Sequence, residues 1–196
     1  MSDPTRRDAL VEQATDYVLE HGLIGLSLRP LAAEIGTSDR MLLYHFASKD
    51  ELVAAVLRAS NDRSVAEIAT MAPSAGVRVA VRDLWSAMRS GQLERCQRTY
   101  VEAAALGLFG REPYARVVRE ANAVWEAAVA THLTASGVPA DRAVRATALL
   151  DAAFSGFLLD LPLDAGDPVQ TQVVEDLAEA VATIAGEPAA VAQGRA

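Results

Sequence analysis

The sequence predicts an all-α protein of about nine helices. Three observations carry this. Alanine, leucine, arginine and glutamate, all good helix formers, are abundant. Long alternating runs of β-branched residues are absent. Apolar positions recur at spacings of three and four, and glycine, proline and capping residues punctuate them. The 196 residues are 51% hydrophobic but only 5% aromatic, so the core is expected to be mostly small aliphatic side chains.

The first helix is expected over Thr5 to His21. Leu10, Ala14, Tyr17, Val18 and His21 share its inner face, and Gly22 stops it with Leu23 behind. A short second helix follows. Ser27 is its expected cap, Pro30 falls in its first turn, and Leu31, Ala32 and Ile35 point inward before Gly36 ends it. Ser38 then caps a third helix of roughly seven residues. Met41, Leu42 and Phe46 are expected inward, while Asp39, Arg40, Leu43, Tyr44 and His45 lie nearer the outside. In SKDE, Ser48 and Glu51 have the spacing of a capping box, which opens a fourth helix running toward Met71. Pro73 breaks it.

Beyond it, breaks at 74–77, 90–92, 110–112, 136–139 and 162–168 separate five longer patterns. They predict helices over 75–89, 92–108, 112–135, 140–160 and 168–185. The Gly-, Pro- and Ala-rich tail from Gly186 is expected to fray. The change from short to long helices places a domain boundary near residue 50, giving domains 1–50 and 51–196.

Several function classes lose support. The single cysteine, Cys96, forms no internal disulfide and holds no thiolate metal site alone, which suits a reducing compartment. The N-terminus shows no signal-peptide pattern. The most apolar window, Ala146 to Leu163, is interrupted by Asp151, Asp160 and Pro162. A soluble cytoplasmic protein is expected, with no membrane partner, cofactor or metal. His21, His45 and His132 are scattered, and no HExxH, GxSxG or paired-carboxylate arrangement occurs. Cys96 and His132 are the nearest thing to a nucleophile pair and read as core packing, as does His21. No enzymatic activity is expected.

The net charge is −8. Residues 1–50 are themselves acidic, so no broad basic footprint marks a nucleic-acid partner. Any such surface must be local. Between Ser27 and Lys49, Arg29, Arg40 and Lys49 face only Glu34 and Asp39, and Lys49 is the only lysine in the chain. Two short helices joined at Gly36 make a helix-turn-helix, whose second helix enters the major groove. Thr37, Ser38 and Arg40 open that helix with hydroxyls and a guanidinium suited to phosphate and guanine. Tyr44 and His45 follow a turn later. Lys49, beside a helix N-terminus, suits a phosphate.

The order of these residues resembles the DNA-binding domain of the TetR family of transcriptional regulators. The match runs through Gly22, Leu26, Ser27, Leu28, Arg29, Leu31, Ala32, Ile35 and Gly36, then Ser38, Leu42, Phe46, Ser48, Lys49 and Leu52. It covers about a quarter of the chain. The resemblance implies DNA contacts from Ser27, Arg29, Thr37, Ser38, Asp39, Arg40, Leu43, Tyr44, His45 and Lys49. Two positions depart from the pattern. Leu43 stands where the family usually has a phosphate-contacting tyrosine, and Tyr44 comes one residue later. Leu43 then supplies an apolar contact to a thymine methyl, or Tyr44 supplies the hydroxyl from another angle. Asp39 stands where a basic or small residue is common; it holds Arg40 or accepts from a cytosine amino group.

The resemblance also implies a homodimer on a palindromic operator, with a small-molecule pocket in each C-terminal domain. The function expected is a ligand-responsive transcriptional regulator, a repressor in most of the family. The alternative is a protein-interaction module, derived from such a regulator, that no longer reads DNA. For the pocket, aromatic and polar residues on apolar helix faces single out Trp85, Met88, Cys96, Tyr100, Ala104, Phe109, Trp125, Val129, His132, Phe154 and Phe157. They suggest a largely apolar effector. For the dimer, Val144, Ala148, Ala152 and Gly156 form a small-residue stripe, and Val173, Val174, Leu177, Val181 and Ile184 another.

Overall fold

The computed structural model describes residues 4–160 and 168–188. Among these residues there are nine helices and no strand. The helices are α1 (Pro4–His21), α2 (Leu28–Glu34), α3 (Asp39–His45), α4 (Lys49–Thr70), α5 (Val77–Met88), α6 (Gly91–Leu108), α7 (Tyr114–Ala135), α8 (Ala140–Asp160) and α9 (Pro168–Ala185). The expected break over 162–167 and the tail from residue 189 lie outside the described residues.

The chain forms two compact units. Residues 1–66 and 91–125 make the first, and 67–90 with 126–196 the second. This division does not follow a line at residue 50, because α6 and the start of α7 share the core of the N-terminal helices. That core joins Leu10, Ala14 and Val18 of α1, Leu31 and Ala32 of α2, Leu42 of α3 with Phe46 after it, and Leu52, Val53 and Val56 of α4. Ala103 and Val117 complete it.

Local signals set the short helices. Ser38 caps α3, its Oγ accepting from the backbone N–H of Met41 at 3.2 Å; such a cap contributes about 1 kcal/mol. Ser48 caps α4 in the same way through the Glu51 N–H at 3.1 Å. The Glu51 carboxylate reaches back to the N–H of Ala47 at 2.8 Å, so the capping box closes one residue earlier than its usual form. Gly36, at φ +69°, takes the left-handed conformation that ends α2 and lets the Thr37 N–H bond the Ala32 carbonyl at 2.8 Å.

Three expectations are corrected. Ser27 holds the N-cap position of α2, but its side chain makes no capping bond. Along α3 the inner line is Leu42, His45 and Phe46, spaced three and four apart, so His45 is buried and Met41 is 44% exposed. His21 is exposed; its ring stacks on Tyr17 at 4.2 Å and its Nδ1 lies 3.0 Å from the Tyr17 carbonyl oxygen.

In the second unit α9 packs on α5 and α8. Val77, Ala80, Val81, Leu84, Trp85 and Met88 of α5 are buried, as are Val174, Leu177, Ala178, Val181, Ala182 and Ala185 of α9. The apolar stripe expected on α9 therefore divides. Val174, Leu177 and Val181 face inward, Val173 is exposed and Ile184 is half-buried. Arg78 pairs with Glu179 at 2.7 Å, and Arg82 grips Glu175 with both ends of its guanidinium, at 2.8 and 2.6 Å.

Candidate nucleic-acid interface

The buried line of α3 fixes what its other side presents. Arg40 and Tyr44, four residues apart, lie opposite Leu42, and Met41 and Leu43 flank them. Tyr44 is 62% exposed and Leu43 47%. Its ring meets His45 edge-on at 5.2 Å. His45, expected to reach DNA, is thus a packing residue beneath Tyr44 rather than part of the exposed surface.

Asp39 does not hold the Arg40 guanidinium. Its carboxylate accepts from the Arg40 backbone N–H at 2.8 Å, at the positive end of α3. Arg40 is left exposed, and no ion pair among the described residues involves Arg40 or Arg29. Arg29 and Ser27, in the first turn of α2 and at its cap, are exposed as well; Thr37 is half-buried. Lys49 opens α4 and is exposed, but its ammonium donates to the Leu26 carbonyl. It braces the turn before α2, and two of its three N–H donors are left for another acceptor.

Sequence reasoning missed the residues that hold this surface in place. Arg7 of α1 pairs with Glu51 at 3.1 Å, and its guanidinium lies 4.7 Å from the centre of the Phe46 ring. The bond from the Ala47 N–H, and then the Arg7 guanidinium, hold the Glu51 carboxyl below its usual range. From α6, the Glu102 carboxylate accepts from the N–H groups of Leu23 and Ile24 at 2.8 and 2.6 Å, just past the end of α1. Arg98 of the same helix donates to the Leu19 carbonyl at 3.0 Å. Gly22 suits that turn on two counts. Its φ is +87°, and a Cβ would sit 3.1 Å from the Glu102 carboxylate. No motif signals a contact between residues 79 apart.

The residues expected to line a pocket fall into both units. In the second, Trp85 lies 5.3 Å from Phe154 and 5.4 Å from Phe157, ring centre to ring centre, with the Arg89 guanidinium 5.6 Å from Trp85. Met88, Val129 and His132 of that unit are buried too. Burial pushes the His132 imidazole below its ordinary pKa, against an opposing pull from Asp83. His132 Nε2 and Thr147 Oγ1 are buried without a hydrogen-bond partner among the described residues. Cys96 is buried in the first unit, where Tyr100, Ala104 and Trp125 are half-buried. Phe109 is a correction. It follows the end of α6, where the chain turns at Gly110, and is 85% exposed.

On α8 the expected stripe is open to solvent: Val144, Ala148, Ala152 and Gly156 are exposed, Val144 by 79%. No described helix is long and apolar enough to cross a membrane, and no described cluster of His, Cys, Asp or Glu has the makings of a metal site.

Residues 10–56 match the family model described as bacterial regulatory proteins, tetR family. No curated protein matches the chain. Among solved structures, the chain is similar to the multidrug binding protein EbrR. It is 24% identical to the imidazole complex, with a TM-score of 0.65 over 98% of this chain and 100% of that one. It is 25% identical to the ethidium complex, with a TM-score of 0.64 over 92% and 99%. A TetR transcriptional regulator from Legionella pneumophila is 17% identical, with a TM-score of 0.67 over 92% of this chain and 97% of that one. Residues 10–56 thus match the tetR family of bacterial regulatory proteins, and the chain as a whole shares the fold of these solved structures.

Proposed function

We propose that the protein is a ligand-responsive repressor that binds a palindromic operator as a homodimer, in the cytoplasm. Residues 1–50 serve as the DNA-binding head, and 51–196 hold the effector and the partner subunit. One observation supports this most. A seven-residue helix is locked into a core by Leu42, with His45 and Phe46 behind it, and offers Arg40 and Tyr44 to solvent on the opposite side. A major groove takes a helix presented in that way, with its first residues at the base edges. Ser27, Arg29 and Lys49 are exposed in the neighbouring segments, and with Thr37 and Ser38 they supply hydroxyls and cations suited to phosphate.

The dimer reading draws on the open apolar stripe of α8, with Val169 and Val173 exposed on α9. A dimer that reads an inverted repeat needs its two recognition helices about 34–36 Å apart, one turn of DNA. The effector reading draws on the Trp85, Phe154 and Phe157 cluster and on the partnerless polar atoms of His132 and Thr147. A flat, largely apolar molecule with a hydrogen-bonding group suits them. EbrR, of similar fold, is described as a multidrug binding protein with ethidium bound. Effector releases DNA only by binding one head spacing better than another. Helix α4, which opens with Lys49, carries that difference to the head.

The test is selection of duplexes from a random pool by the purified chain. An enriched inverted repeat is expected. Enrichment of nothing would favour a module that binds another protein in place of DNA.

A further inference from the structure

This inference rests on the DNA-binding reading and deepens it. We propose that Met41 and Leu43 read the 5-methyl groups of thymines beside the base pair reached by Arg40, so that methyl contacts carry part of the operator's sequence specificity.

The rotation of α3 is set by what it buries. With Leu42 fully buried and His45 and Phe46 beside it, successive residues turn by about 100°. Arg40 and Tyr44 then lie farthest from the core, Met41 to one side and Leu43 to the other. Both flanking side chains are apolar and both are open, at 44% and 47% exposure. Single exposed apolar residues are ordinary. Two of them flanking the outermost line of one short helix make that surface apolar just where the helix faces a partner.

The partner is duplex DNA by the local cations and by setting. Arg29, Arg40 and Lys49 are exposed within 27–49, although residues 1–50 as a whole are acidic, and residues 10–56 match the family of bacterial regulatory proteins on which the DNA-binding reading rests. The edges of base pairs in the major groove carry hydrogen-bonding groups, and the one apolar group that projects among them is the C5-methyl of thymine, where cytosine has only a hydrogen. A leucine or methionine pressed against a cytosine amino group or a guanine oxygen strips its water and returns no hydrogen bond. Pressed against the thymine methyl, it buries apolar surface on both sides. The pair therefore favours thymine and penalises the other bases.

The experiment uses the full chain, the inverted repeat recovered by selection, and thymines replaced one at a time by deoxyuridine, which removes only the methyl. A loss of about fourfold is expected at one or two thymines in each half-site, with none at thymines outside it. Leu43→Ala and Met41→Ala should each weaken the parent duplex and erase the deoxyuridine penalty at one position. The wild-type arm needs no variant to fold. Where a half-site cytosine replaces a contacted thymine, 5-methylcytosine should recover part of the lost affinity. Selective binding with no penalty at any deoxyuridine would overturn the methyl reading and leave DNA recognition standing. Failure to recover any selective duplex would overturn both.

Discussion

The Glu102 carboxylate of α6 accepts a hydrogen bond from the backbone N–H of Leu23 at 2.8 Å and a second from Ile24 at 2.6 Å. These N–H groups belong to the turn that leaves α1, where no helical carbonyl reaches them. One side chain from a distant helix thus completes the backbone of the N-terminal helical head. Arg98, one turn earlier on α6, does the converse by donating to the Leu19 carbonyl. The two contacts tie α6 to both polarities of the end of α1.

Glu102→Ala should leave two N–H groups without their acceptor and lower stability by about 1–2 kcal/mol, since the site is half-exposed and water replaces part of the loss. In a chain of this size that is a fall in Tm of roughly 2–8 °C, read by thermal melting in circular dichroism. Glu102→Gln, which keeps one oxygen, should lose less. A melting curve equal to wild type for the alanine variant would remove the contact from the head's support.

Arg40 and Lys49 should separate base reading from phosphate binding. Arg40→Ala is expected to relax sequence preference while leaving affinity for unrelated duplex nearly unchanged. Lys49→Ala should weaken binding to every duplex and flatten the salt dependence by about one unit. Because Lys49 also donates to the Leu26 carbonyl, this variant should melt at a lower temperature as well. Equal losses on all sequences for Arg40→Ala would argue against base readout, and an unchanged salt slope for Lys49→Ala against the phosphate role.

The legible part of the fold was its local part. Helix starts and stops are written in Ser38, Ser48, Glu51, Gly36 and Pro73, whose preferences act over four residues or fewer. Each of the nine helices lies within about two residues of its expected span. The rotation of α3 was harder. In a helix of seven residues, Met41, Leu42 and Leu43, with Phe46 just after it, fit two inward faces, and only the neighbouring core decides for Leu42 with His45 and Phe46. The braces from Arg7, Arg98 and Glu102 were illegible, because charged residues on helices look solvated until the fold brings an N–H or a carbonyl to them. The division at 66–67, 90–91 and 125–126 was hidden for the same reason. Nothing in α6 announces that Ala103 belongs to the head's core.

Trp85→Ala should open a cavity beside Phe154 and Phe157 and cost about 3–5 kcal/mol. Trp85→Phe keeps most of the volume and should stay folded. If the aromatic cluster receives the effector, binding of a planar aromatic probe such as ethidium quenches Trp85 fluorescence in wild type. A Trp85→Phe variant, which retains Trp125, then loses most of that quenching. Quenching of the same size in this variant would move the probe elsewhere.

His132 should give stability a pH dependence of its own. Its folded pKa lies below the ordinary 6.5, chiefly through burial, so the unfolded chain binds the proton more readily. Stability from keeping the ring neutral is fully present above pH about 6.5 and falls as pH drops from there toward the folded value. Glu51, Glu120 and Glu175, held below their ordinary range of 4.5 by their hydrogen bonds and arginine partners, lose their contribution only in more acidic solution. Denaturant titrations at pH 7.5 and 5.5 should therefore show a smaller drop for His132→Leu than for wild type. An identical drop would place the loss on other groups.

The central claim is that the exposed line of α3 reads DNA, and fluorescence anisotropy tests it most directly. The full chain would be titrated into duplex from upstream of its own gene and into a scrambled duplex, each at two salt concentrations. Tighter binding to the upstream duplex, weakening steeply with salt on both, is the expected result. Equal affinity for the two duplexes, or none for either, on that duplex and on every duplex from the random pool, would contradict it.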